Sequence, residues 1–210
     1  MKARILLALA VSVAMLSGCK SDGGSSESTQ APSTPGVMQV PMAYKPKGKV
    51  NVPMMPVFPG LRLYVAEPID KRDTGERIGE IHDDGRTVTA VGVGDSPTAV
   101  VRSAFTTELP RFGLTLVADA SQANRTLTVT LQRFYCTAQG NTFKAFAEGL
   151  VEVRDAGGAV VFSGFVTADG GNWGNNENPA NVREPLCDAA QEMVERCLKS
   201  EAFINALKVN

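Results

Sequence analysis

The sequence contains few of the residues that usually build active sites or nucleic-acid surfaces. Its 210 residues include one tryptophan and one histidine, and aromatic residues make up 6% of the chain. The formal net charge is −1, so the chain lacks the basic excess with which proteins bind nucleic acids. The absence of a Cys-x-x-Cys pair argues against a thiol redox site. We therefore expect a protein with no catalytic residues, no cofactor and no nucleic-acid partner.

The N-terminus has the order of basic, apolar and small residues that is typical of a secretory signal peptide. The apolar run from Ile5 to Met15 is too short to span a bilayer, and Leu16-Ser17-Gly18 leads directly into Cys19. A cysteine at this place resembles the bacterial lipobox, which implies cleavage before it, diacylglycerol on its thiol and an acyl chain such as palmitate on its amine. We predict a cleaved signal peptide over residues 1–18 and lipidation at Cys19. An ordinary signal peptide with a chance cysteine is the alternative.

Two segments of different composition follow the cysteine. Residues 19–35 are mostly polar and lack apolar residues able to offset the entropy of ordering, so we predict a lipidated N-terminus and a flexible linker with a reach of about 20–25 Å. Residues 36–60 alternate five prolines with apolar residues, which excludes a helix or a central strand and predicts an extended arm. The arm either covers a sheet edge or contacts a partner protein, in which case Met54, Met55 and Phe58 are candidate contacts.

The remaining residues, 61–210, have the patterns of a globular α+β domain. Alternating residues predict strands over 61–65, 87–91, 114–117, 127–131, 143–153 and 159–166. Asp95-Ser96-Pro97 begins one predicted helix, and a second begins near Pro185. Residues 70–85 and 170–178 have the composition of loops. This order predicts a two-layer domain, with two helices on one face of a largely antiparallel sheet.

Export would place Cys136, Cys187 and Cys197 in a compartment where disulfides persist. The predicted topology brings the strand that ends at Cys136 close to the first turn of the last helix, which contains Cys187. Cys197 lies about 15 Å further along that helix. We therefore predict a disulfide between Cys136 and Cys187, with Cys197 as a free thiol in the core. A Cys136–Cys197 pair is the alternative.

The remaining clusters of polar residues do not have the pattern of a metal site. His82-Asp83-Asp84 is more typical of a solvated turn than of a metal site, and residues 169–178 lack the ligand spacing of a calcium loop. We therefore predict no metal. Trp173 lies in a stretch rich in glycine and asparagine, where it is either an anchor for a partner or a cap over the end of the sheet.

Several short motifs over residues 61–166 resemble the YajG-type family of bacterial lipoproteins. They are Asp70-Lys71-Arg72, Ile78-Gly79, Gly94-Asp95, Phe112-Gly113-Leu114 and the strand Ala123-Asn124-Arg125-Thr126-Leu127-Thr128-Val129. The resemblance implies a periplasmic domain anchored by lipid to the outer membrane, without catalytic residues. Lys20, where aspartate would retain a lipoprotein in the inner membrane, agrees with the periplasmic leaflet of the outer membrane.

We therefore expect a non-catalytic interaction module that is held to the membrane by its N-terminal lipid and binds an envelope protein. A carrier of lipid or glycan, or an auxiliary subunit of an envelope transport system, are the alternatives.

Overall fold

A computed structural model describes residues 36–48 and 55–209. The predicted signal peptide, Cys19, the linker over 19–35 and Met54 lie outside the described residues. Within these ranges, none of the helices combines the length and the apolar character that crossing a bilayer requires.

An eight-stranded sheet forms one layer of the domain. Its strands are β1 (Gly36–Met42), β2 (Leu63–Val65), β3 (Ile69–Asp70), β4 (Arg77–Asp83), β5 (Arg86–Gly94), β6 (Arg125–Gln139), β7 (Thr142–Asp155) and β8 (Val160–Trp173). They lie in the order β1-β5-β4-β6-β7-β8, while β2 and β3 pair with the first half of β6. The long antiparallel ladders β6–β7 and β7–β8 dominate, and β1 joins β5 in parallel.

The helices form the second layer. They are α1 (Pro97–Arg111), α2 (Ala180–Lys199) and the short α3 (Glu201–Ala206). The hydroxyl of Ser96 accepts a hydrogen bond from the amide of Ala99 at 3.1 Å, so α1 begins at the predicted cap. Helix α2 packs across β7 and β8, and α1 packs against α2. The predicted α+β architecture, with two main helices on one face of the sheet, is confirmed.

The interface between the two layers is filled by large apolar side chains. Strand β7 contributes alternate residues, as its period of two requires, and its Phe143 is fully buried. The other fully buried phenylalanines are Phe105, Phe134 and Phe203, which come from α1, β6 and α3. A bulge in β6 between Leu131 and Arg133 shifts the alternation and keeps Phe134 on the core side. The domain therefore has one continuous core.

The structure corrects one predicted loop. Residues 70–85 contain strand β4, in which Ile78 and Ile81 are buried. A bulge between Arg77 and Gly79 allows both isoleucines to face the core although they are three positions apart. That spacing breaks the alternation by which strands are recognised in a sequence.

The end of strand β8 and the start of α2 also differ from the prediction. Strand β8 continues to Trp173 through residues predicted as loop, and α2 begins at Ala180 rather than near Pro185. The glycines in this stretch pair with β7, and α2 packs closely on Gly170. The predicted strand over 114–117 is reduced to a single bridge between Leu63 and Leu116.

The first part of the predicted arm belongs to the fold, upstream of the predicted domain start at residue 61. We call residues 36–48 the strap. Its strand β1 pairs with β5 at the sheet edge, where Val40 and Met42 are buried. Beyond β1, the Tyr44 hydroxyl donates to Glu108 of α1 at 2.8 Å, and the Gln191 side chain exchanges two hydrogen bonds with the backbone of Lys47. The strap thus covers a sheet edge and then crosses the helix layer.

The predicted disulfide between Cys136 and Cys187 is absent from the structure. Cys136, Cys187 and Cys197 are free and buried. The Cys187 thiol donates to the carbonyl of Ala43 in the strap at 3.5 Å, whereas Cys136 lies on the core face of β6. Burial raises the pKa of the Cys136 and Cys197 thiols to about 12, and it also raises the pKa of Cys187.

Candidate docking surface

The second face of the sheet has no helix packed on it among the described residues. We call it the open face. Even-numbered residues of β7 and odd-numbered residues of β8 point to it, since their neighbours along each strand face the core. A face exposed to water is normally polar, but here Phe146, Leu150 and Phe165 lie among the polar side chains. These apolar residues require an explanation other than the domain's own core.

Three apolar side chains of the open face lie in one row across the sheet. The register places Ile69 opposite Thr130, Thr130 opposite Leu150, and Leu150 opposite Phe165. Ile69 is 48% exposed and Phe165 is 55% exposed. We call Ile69, Leu150 and Phe165 the apolar row. It spans the sheet from β3 to β8.

Ion pairs border the apolar row on both sides. On one side Arg133 pairs with Glu148 at 3.3 Å, and on the other side Arg154 pairs with Glu152 at 3.2 Å. The Arg133 guanidinium also lies 4.4 Å from the centre of the Phe146 ring, a cation–π contact. An apolar centre with a polar rim is the usual arrangement of a protein–protein contact surface.

A phenol lies next to this border. Burial, and then the neighbouring Glu80, raise the pKa of Tyr135, which lies opposite Phe146 on the open face. The charged groups of the open face are arginine, lysine and carboxylate side chains.

One end of the open face has a different character. We call this end the tip; it consists of the β4–β5 turn, the β6–β7 turn and Trp173. Trp173 is the last residue of β8, lies opposite Thr142 and is 73% exposed. Beside it is a groove of about 560 Å³ lined by His82, Thr137, Ala138, Gln139, Thr142 and Lys144. The tip therefore combines one large aromatic ring with neutral and charged polar groups.

The His82 ring contacts its polar neighbours. The ring Nδ1 of His82 lies 3.2 Å from the Thr87 hydroxyl, and its Nε2 lies 3.7 Å from a Glu80 oxygen. Within residues 36–48 and 55–209, no group of three or more histidine, cysteine or acidic side chains is arranged to hold a metal ion. Asp83 and Asp84 belong to the exposed β4–β5 turn.

The structure separates the residues that the sequence singled out. Cys136 and Cys187 lie in the core, and Met55 and Phe58 pack partly buried against it. Trp173 is exposed and does not fold back over the end of the sheet. Of the described candidate contacts, Trp173 is therefore the one with most of its side chain free to meet a partner.

Comparisons with known proteins show a solved structure that shares the fold of this chain, but they assign the chain to no family. No family model matches the chain, and no curated protein matches it. Among solved structures, protein XCC0632 from Xanthomonas campestris, of family DUF330, has 14% identity and a TM-score of 0.54, over 80% of this chain and 96% of that chain. That likeness establishes a shared fold.

Two weaker likenesses come from other bacteria. The PelC dodecamer from Paraburkholderia phytofirmans has 14% identity and a TM-score of 0.44, over 77% of this chain and 95% of that chain. Lipoprotein GNA1162 from Neisseria meningitidis has 12% identity and a TM-score of 0.36, over 58% of this chain and 90% of that chain. Neither is similar enough to support an argument about this protein.

Sequence reasoning missed the apolar row. The available signal was the occurrence of apolar residues at both alternations of β7, where Leu150 shares the open face while Val151 faces the core. A strand with one solvent face needs apolar residues at only one alternation. Ile69 had no such signal, because its place in the row depends on its pairing with β6.

Proposed function

We propose that this protein is a lipid-anchored, non-catalytic module of the bacterial envelope that binds another envelope protein through the apolar row. The lipid on Cys19 holds the chain at the membrane, and we place that anchor in the periplasmic leaflet of the outer membrane. The folded domain then presents the open face to its partner.

The exposed apolar row is the observation that carries this proposal. Phe165 and Ile69 leave about half of their side-chain surfaces in water, which costs free energy in an isolated domain. The bordering pairs, Arg133–Glu148 and Arg154–Glu152, remain partly exposed, as the rim of a contact surface does. Burial of the row beneath a partner would remove this cost, while the ion pairs fix the orientation of the partner.

The arrangement of the core favours a docking module over a carrier of lipid. A carrier with this architecture would keep a deep apolar cavity between the helices and the sheet. In this domain, Phe105, Phe134, Phe143 and Phe203 are fully buried at that interface. The groove beside Trp173 is open to solvent and is not a deep apolar cavity, and its lining includes His82, Gln139 and Lys144.

Photo-crosslinking in intact cells tests the docking surface. A photoreactive phenylalanine analogue is placed at Phe165 of the full-length chain, and in a matched chain at Glu201, an exposed residue at the start of α3 on the opposite side of the domain. We expect a discrete adduct from position 165 and none from position 201. Equal labelling from both positions, or no adduct from position 165, would contradict the proposed surface.

Two substitutions separate binding from anchoring. Phe165→Asp places a charge at the centre of the apolar row, and we expect it to abolish the adduct formed from a probe at Ile69 while the domain still folds. Cys19→Ser removes the acylated thiol, and we expect it to release the protein from the membrane fraction. A chain that stays membrane-bound after Cys19→Ser is not anchored through that residue.

A further inference from the structure

Four parts of the chain lie at the level of the tip: the start of β1, the β4–β5 turn, the β6–β7 turn and the end of β8. The register connects Gly36 to Val88, Val88 to Ile81, Ile81 to Ala138, Ala138 to Phe143, and Phe143 to Asn172. The first residue of β1 therefore lies level with the residue next to Trp173. The two lie on opposite edges of the sheet, five strand spacings or about 24 Å apart. Both turns of the tip lie between them.

The chain thus enters the described domain at the same end of the sheet that exposes Trp173. Sixteen residues, from 20 to 35, separate Cys19 from Gly36. At the composition of this segment, their typical reach is about 20–25 Å. If Cys19 carries the lipid, as the proposed function requires, this tether favours positions of the β1 start close to the membrane, and even fully extended it allows no more than about 60 Å. An orientation with this end toward the membrane leaves the opposite end further away by the length of the strands.

Trp173 is held firmly at this end. Its amide donates to the side chain of Asn172 at 2.7 Å, and the next amide, of Gly174, donates to the carbonyl of Asn141 in the β6–β7 turn at 2.9 Å. The indole is 73% exposed although its backbone is fixed. Tryptophan is enriched where lipid headgroups meet water, because its ring is apolar and its N–H group needs a polar partner.

The charges of the tip are of both signs, and most of them lie about three strand spacings from the indole. Lys144 lines the groove beside it, and Arg86 and the acidic pair Asp83 and Asp84 lie in the β4–β5 turn. Such a mixture has no net preference for an anionic surface, whereas it matches a zwitterionic headgroup that carries a phosphate and an amine. We propose that the tip rests on the phospholipid surface, with the Trp173 ring in the headgroup region.

This contact orients the domain for its proposed function. With the tip on the membrane, the strands of β6 to β8 rise away from it, and the open face points sideways. Phe165 is eight residues from Trp173 along β8, which places the apolar row about 26 Å above the tip. A partner could then reach the row without displacing the lipid contact.

Fluorescence of Trp173 tests the contact directly, because it is the only tryptophan of the chain. The acylated protein is reconstituted into vesicles of phosphatidylethanolamine and phosphatidylcholine, and into matched vesicles whose phosphatidylcholine is brominated near the carbonyl end of its acyl chains. We expect the emission to shift to shorter wavelength and to fall by about half in the brominated vesicles. Because the tip has charges of both signs, the quenching should persist at high salt.

A relocated tryptophan provides the matched control. A chain with both Trp173→Phe and Val160→Trp carries its indole at the start of β8, about 43 Å away at the other end of the sheet. We expect no quenching by brominated lipid in this chain. Equal quenching in both chains, or an emission from Trp173 that iodide quenches as freely as in the unlipidated protein, would overturn the proposal.

Two further experiments distinguish the tip contact from anchoring through Cys19 and from binding of a glycan. The Cys19→Ser chain, held by an N-terminal histidine tag on nickel-chelating lipid, tests the tip contact whether or not cells acylate Cys19. An acylated protein with an unquenched Trp173 contradicts the tip contact alone. Shielding of Trp173 by soluble envelope polysaccharide in place of vesicles would assign the tip to a glycan ligand and would overturn the proposal.

Discussion

The hydroxyl of Tyr44 donates a hydrogen bond to the carboxylate of Glu108 at 2.8 Å, across 64 positions of sequence. Glu108 is fully buried, and its other oxygen accepts from Arg111 at 2.9 Å. Burial, and then Glu108 itself, raise the pKa of Tyr44 well above its ordinary value. The phenol therefore remains a donor throughout the physiological pH range. This contact joins the strap to the helix layer.

Tyr44→Phe should destabilise the domain by about 1–3 kcal/mol, because it leaves one oxygen of a buried carboxylate without its donor. Urea unfolding followed by circular dichroism measures the change. Tyr64→Phe is the matched control: its hydroxyl has no hydrogen-bond partner in the described part of the chain, and we expect a change within about 0.5 kcal/mol. Equal effects of the two substitutions would show that the Tyr44–Glu108 contact adds nothing to stability.

Removal of the strap should lower the melting temperature strongly. A chain that starts at Lys49 loses the buried side chains of Val40 and Met42, each of which contributes about 1.5–3 kcal/mol, together with the pairing of β1 and β5. A chain that starts at Gly36 keeps all of these contacts and serves as the control. If both chains melt at the same temperature by calorimetry, the strap is not an integral part of the fold.

Gly170→Ala should destabilise the contact between β8 and α2 by about 2–3 kcal/mol. A Cβ at this position would lie 2.9 Å from the amide nitrogen of Ala189 and closer still to the carbonyl of Pro185, and both are backbone atoms of a helix. In Gly171→Ala, the nearest atom is 3.6 Å away, so we expect a change within about 0.5 kcal/mol. Denaturant midpoints of the pair measure the difference, and similar midpoints would show that α2 can move away at little cost.

The three buried thiols should be free and unreactive in the native protein. With the pKa of Cys136 and Cys197 raised to about 12, only about one thiol in ten thousand is ionised at pH 8, and burial also restricts access. We expect N-ethylmaleimide to label no thiol in the folded Cys19→Ser chain and three in the denatured, unreduced chain. A single label after denaturation would indicate the disulfide that the sequence predicts.

Secondary structure was predictable where local chemistry determines it. The Ser96-Pro97 pair marks the start of α1, and Asp155 closes the β7–β8 turn by accepting hydrogen bonds from Gly157 and Ala159. These signals depend on residues a few positions apart. Strand β4 was missed because its bulge hides the alternation of Ile78 and Ile81.

The candidate surface was less predictable, because it is built from long-range pairing. Ile69 and Phe165 are far apart in the chain and share a row only through the registers of β3, β6, β7 and β8. The predicted Cys136–Cys187 disulfide is absent from the structure for a related reason. Topology could place Cys187 near one end of the sheet, but not determine that its thiol would face Ala43 of the strap.

The sequence by itself determined the α+β class, the ends of several elements and the expectation of a lipid at Cys19, because turn residues, caps and periodicity act over short distances. Tertiary structure decided that the strap completes the sheet, that the Cys187 thiol hydrogen-bonds to the strap and that Gly36 and Trp173 share one end. The physical reason is that each of these relationships depends on strand order and register, which are set by packing of the whole core and leave little trace in any short stretch of sequence.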